Sequence, residues 1–126
     1  MFSDIIGVDF DYIRLLGIRS GLIHIIKMKT KVGLFGIGLD TYWAQFEGLL
    51  DNLKSYQNLI KDNIGQFGVE VVDAGMVDNP IKAREAADFL KVNDVEIVFL
   101  YVSTYALSST VLPIAQKLKV PVIILN

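Results

Sequence analysis

From residue 28 onward, four short and nearly unbroken apolar runs set the limits on what this chain can fold into. They are Lys31–Ile37 (KVGLFGI), 69–73 (VEVVD), 95–102 (VEIVFLYV) and 120–125 (VPVIIL). Each has the length of a strand, and each is apolar enough to need cover on both faces. Between them the apolar period changes to three and four. Trp43, Phe46, Leu49, Leu50, Leu53, Tyr56, Ile60 and Ile64 form one stripe, which predicts a single long helix ended by Gly65 and Gly68. At about 24 residues it would measure about 36 Å and overhang any strand beside it by several turns. Asn79 is a good N-cap and Pro80 suits a first helical position, so a second helix runs from there to about Val92. Its apolar face is Ile81, Ala86, Phe89 and Leu90. Ser108 and Ser109 can cap a third helix through Val111, Leu112, Ala115 and Leu118, with Pro113 near its first turn.

The resulting order is βαβαβαβ. Strands that alternate with helices and need burial on both faces make a parallel sheet with helices on either side. Right-handed crossovers then leave an open, three-layer α/β sheet of about four strands, flavodoxin-like or Rossmann-like, with strand order 2-1-3-4. The last strand would stand at an edge with no helix or further strand to cover it. The fold reads as unfinished, and the expectation is a fragment of a longer protein.

Residues 1–27 read differently. Asp4, Asp9, Asp11, Arg14, Arg19, Lys27 and three glycines interrupt the apolar residues, and no period survives. Asp4 spoils a basic signal-peptide start, and no small-x-small cleavage site follows. The expectation is a poorly ordered or spurious extension, with Met28 the natural start and 28–126 the folded domain.

The remaining composition excludes several classes of chemistry. The 126 residues contain no cysteine and one histidine, His24. Disulfides, thiolate metal sites and cysteine nucleophiles are therefore out, as is any mechanism that needs two imidazoles. A formal net charge of −2 argues against nucleic acid, which would call for a clustered basic face. No charge-free apolar run approaches the roughly 20 residues of a membrane span, and the expected location is the cytoplasm. Glu47 is a lone carboxylate at the border of the apolar stripe. It suits a boundary position better than a general acid.

In open parallel sheets, ligands bind beyond the carboxyl ends of the strands. Those ends are expected at residues 36–43, 73–76, 103–105 and Asn126. Gly36-Ile37-Gly38 begins a dinucleotide fingerprint, but the third glycine is replaced by Thr41, so the glycines read as a tight turn capped by Asp40 or Thr41. A phosphate at that helix start would meet the Asp40 carboxylate. A neutral polyol fits better, since carboxylate, hydroxyl and amide groups pair with sugar hydroxyls and Tyr42 or Trp43 can stack on a C–H face. Asp40, Asp73 and Asp78 do not make a phospho-receiver's magnesium site. That site needs paired acids after the first strand and an aspartate after the third, where this chain has Gly36-Ile37-Gly38 and Val102-Ser103-Thr104.

The run GIGLDTYWAQFEGL at 36–49, with the element order after it, resembles the amino-terminal domain of L-arabinose isomerase and related L-fucose isomerase-like sugar isomerases. The resemblance spans about 28–126. It implies aldose–ketose isomerisation of an aldopentose or deoxyhexose in a cytoplasmic homo-oligomer that uses manganese or another divalent metal. In that family the metal ligands and the proton-handling glutamates belong to later domains. The implied part played by this chain is substrate contact through Gly38, Leu39, Asp40, Tyr42, Trp43 and Thr104, with no catalytic residue and no metal ligand of its own. On that reading the chain alone is inactive, and the missing carboxyl-terminal domains are its partners. An alternative of a different class is a non-catalytic sugar-binding module, one lobe of a periplasmic-binding-protein-like sensor. A ligand-free interaction domain of the same fold is a third.

Overall fold

β1 (Lys31–Ile37) is the spine of the sheet, buried from Val32 through Ile37. The computed structural model of the protein describes residues 29–126, so the expectations for residues 1–27 lie outside the described residues. After β1 come α1 (Thr41–Gln45), α2 (Leu49–Gly65), β2 (Glu70–Val77), α3 (Pro80–Val92), β3 (Ile97–Val102), α4 (Ser108–Leu118) and β4 (Val122–Leu125). Among the described residues all strand pairs are parallel and the order is β2-β1-β3-β4, the open α/β sheet that the alternating pattern predicts.

Two glycines of β1 show how the layers are arranged. A Cβ on Gly33 would meet Leu90 of α3, and one on Gly36 would meet Gln57 of α2. Positions three apart along a strand point to opposite faces, so α2 covers one face and α3 the other. α4 packs beside α3, and the main core lies on that side, around Phe35, Val77, Ala83, Leu90, Val98 and Ile114. Asn79 starts α3 as expected, its side chain accepting from the Lys82 N–H at 2.9 Å ahead of Pro80.

The structure corrects four local expectations. The long first helix is two helices, because Gly48 takes a left-handed conformation with φ of 75° and breaks the run between α1 and α2. α2 has 17 residues, about 25 Å, close to the length of β1, so the overhang of several turns is gone. Next, β2 does not stop at Asp73. It continues to Val77 through a bulge in which three steps of β2 match two of β1, with Gly75 at φ 78°.

The buried helix faces are also narrower than the periodicity implies. Phe46 and Tyr56 are exposed, as are Ile81 and Phe89 of α3, whereas α2 buries Leu53 with Gln57 and α3 adds Ala83 and Ala87. Small alanines let α3 approach the sheet closely, which leaves its larger residues on the flanks. Finally, no serine caps α4. Leu107 occupies the N-cap, Thr110 Oγ1 donates back to the Leu107 carbonyl at 2.6 Å, and Pro113 falls inside the helix. Ile114, absent from the expected stripe, is its main core residue.

Candidate functional site

The connections after β1 and β3 leave the sheet on opposite faces, which makes the carboxyl ends of these two strands the switch point where such sheets bind ligands. Hydrogen bonds beyond the regular ladder hold its floor together. The Gly38 N–H donates to Val77 O at 3.1 Å, and Ser103 donates to Ile37 O from both its N–H (3.3 Å) and its Oγ (2.6 Å). These bonds fix the ends of β1, β2 and β3 relative to one another.

Three of the six expected contact residues meet on this floor. The Trp43 indole lies against Gly38 so closely that a Cβ there would stand 2.8 Å from Cη2 and 2.9 Å from Cζ2. Thr104 Oγ1 would be 3.3 Å from the same Cβ. Glycine at 38 is therefore what lets the ring settle between the strand ends. The other three lie apart from that knot. Asp40 is exposed and its side chain makes no capping bond, contrary to its expected role at the helix start. Tyr42 turns its ring edge-on to Phe46, centroids 6.0 Å apart at 81°. Leu39 is half-buried, and its carbonyl accepts from the Tyr42 N–H.

Trp43 is anchored by a residue outside the expected contact set. Its Nε1–H donates to Asp78 Oδ2 at 2.8 Å. Asp78 directly follows β2 and is only 4% exposed. Lys82 Nζ reaches both carboxylate oxygens, at 2.8 and 3.0 Å, and Asn79 Nδ2 donates to Oδ1 at 3.2 Å. Three donors compensate a carboxylate taken out of water. Asp73, expected at the end of β2, sits inside the strand at the bulge, so Asp78 is the acid at the strand ends. The signal in the sequence is its place directly before the Asn79-Pro80 helix start.

Beyond Asp78 a cleft of about 450 Å³ opens against the outer edge of β2, lined by Leu50, Lys54, Met76, Lys82, Glu85 and Phe89 among others. On the α2 face of β3, Tyr101 has its phenol held above the ordinary tyrosine value, first by burial and then by Tyr56 nearby. Among the described residues no group of three or more His, Cys, Asp or Glu side chains is placed to hold a metal ion. No described helix is long and apolar enough to cross a membrane.

The arrangement puts an aromatic ring and a hydroxyl together at the carboxyl ends of the strands, groups that suit a polar ligand with C–H faces. No protein-family model matches this chain, and no curated protein matches it.

Proposed function

We propose that this chain is the amino-terminal α/β domain of a sugar isomerase of the L-arabinose and L-fucose isomerase type, supplying substrate contacts. The observation that carries the reading is the packing of Trp43 on Gly38 beside Thr104, where the residues of the family-like run meet the strand ends. In such an enzyme the manganese or other divalent metal and the proton-transferring glutamates belong to other domains, and residues 29–126 only seat the sugar. The chain works within a cytoplasmic homo-oligomer, together with the domains that complete the pocket. Trp43 and Thr104 bear on the substrate directly, while Leu39, Asp40 and Tyr42 line the approach from the loop.

The test is titration of L-arabinose and L-fucose against the chain, read on the fluorescence of Trp43, its single tryptophan. A saturable change, lost in Thr104→Val, is the expected result. No response to either sugar overturns the reading. Reading the coding frame beyond Asn126 separates the isomerase from a one-lobe sugar sensor. Continuation into a segment carrying paired glutamate and histidine ligands supports the isomerase, and a sensor-type second lobe overturns it.

A further inference from the structure

Beyond Gly38, whose N–H donates to Val77 O, the segment between β1 and α2 is tied by side chain to the rest of the fold through Trp43. None of the residues of α1 is buried, and Asp40, Thr41, Ala44, Gln45, Phe46, Glu47 and Gly48 are all exposed. Among the described residues, the Trp43–Asp78 bond is the one side-chain hydrogen bond that joins this segment to another part of the fold. Without it the ring would lose its hydrogen bond and keep packing alone, including that against Gly38.

We propose that Asp78 is the positioning residue of the site: it fixes the plane of the Trp43 indole so that the ring offers a ready face to a sugar. This rests on the sugar-contact reading above. The geometry is directional. The Nε1, Cζ2 and Cη2 side of the indole points inward, with Nε1 on Asp78 and the two carbons on Gly38. A ring pinned at two points along one edge cannot turn about its bond to the backbone. Asp78 is itself fixed by Lys82 and Asn79. Asn79 in turn caps α3 by accepting from the Lys82 N–H. The orientation of Trp43 is thus set from the first turn of α3 through Asp78, 35 residues away along the chain. A ligand that stacks on a ring already held in place loses less ordering entropy than one that must immobilise it.

The test uses the full chain and its single indole N–H resonance. In the native chain that proton should exchange slowly with solvent and sit downfield, as expected for a donor to a carboxylate. Asp78→Ala should speed its exchange by about tenfold or more and raise acrylamide quenching of Trp43. It should also weaken the fluorescence response to L-arabinose or L-fucose by a similar factor. Asp78→Asn keeps an acceptor oxygen and should restore most of the protection and of the sugar response, and it also covers the case in which the alanine variant fails to fold. Unchanged indole exchange in Asp78→Ala, or in Asp78→Asn no better protection than in an unfolded chain, overturns the proposal. Exchange that follows the expected order while the native chain ignores both sugars overturns the sugar reading instead, since the ring is then positioned for another ligand.

Discussion

The side-chain amide of Gln57 donates to Asp73 Oδ1 over 2.8 Å, tying the middle of α2 to the bulge of β2. The same oxygen accepts from the Gly75 N–H at 2.8 Å, so one carboxylate oxygen closes the bulge and docks the helix. Gln57 is 3% exposed, and among the described residues its Oε1 has no hydrogen-bond partner. That oxygen lies where a side chain on Gly36 would begin, 2.4 Å from a Cβ there. The amide cannot retreat without surrendering Asp73.

Gly36→Ala should therefore destabilise the chain by about 1–3 kcal/mol, the range for forcing an extra carbon into a packed interior. Gln57→Ala clears the space, so the double variant should lose clearly less than the sum of the two single losses. Urea unfolding followed by circular dichroism measures all three. Strict additivity would mean that Gly36 and Gln57 do not press on each other.

Gly48 stands at φ 75°, and among the described residues a Cβ added to it would meet nothing within 4 Å. Replacing it with alanine creates no clash, and the cost is purely the left-handed backbone, about 1–2 kcal/mol. The same denaturation experiment reads it. A gain in stability would instead show that α1 and α2 merge into one continuous helix when the glycine is removed.

That break also shows where local pattern stops being informative. The apolar stripe runs in phase from Trp43 through Leu53, so periodicity passes over a glycine that the backbone uses to turn. The strands and the start of α3 are legible because their signals are local: continuous apolar runs, and an asparagine before a proline. The strand order then follows from right-handed crossovers. The end of β2 is hidden because Asp73 interrupts the apolar run just where a bulge carries the strand onward. Within the candidate site, strand-end position reaches only the ranges 36–43 and 103–105, and the family resemblance is what picks Gly38, Trp43 and Thr104 out of them. The pairing of Trp43 with Asp78 is hidden for the same reason as the end of β2: the bulge carries the strand past Asp73 to Val77, so that Asp78 is the acid that reaches the strand ends.

Tyr101 gives the fold a pH dependence whose sign can be worked out. Its folded value is raised above the ordinary one by burial and by Tyr56, while in the unfolded chain it titrates near pH 10. Above about pH 10 the unfolded chain has released a proton that the folded chain still holds, so stability falls as pH rises. The contribution is whole below that point and lost as pH climbs through the folded value. Tyr101→Phe should lose less melting temperature between about pH 9 and about pH 11 than the native chain does. Parallel declines in the two proteins would remove Tyr101 as a cause.

The two edges of the sheet differ in how they resist pairing with another chain. β2 carries the bulge and the Asp73 carboxylate, both of which discourage a further strand. β4 has neither. Among the described residues it is paired only with β3, and Val122, Ile123 and Ile124 are 38, 40 and 66% exposed. Successive residues of a strand face opposite ways, so Ile123 and Ile124 leave apolar surface on both sides of that edge. Ile124→Lys puts a charge on the most exposed of them and removes no buried contact. Unfolding stability should stay within about 0.5 kcal/mol, while concentration-dependent light scattering should fall sharply. Scattering that persists unchanged in the lysine variant would place self-association on another surface, with the exposed Tyr56 and Leu59 of α2 the next to substitute.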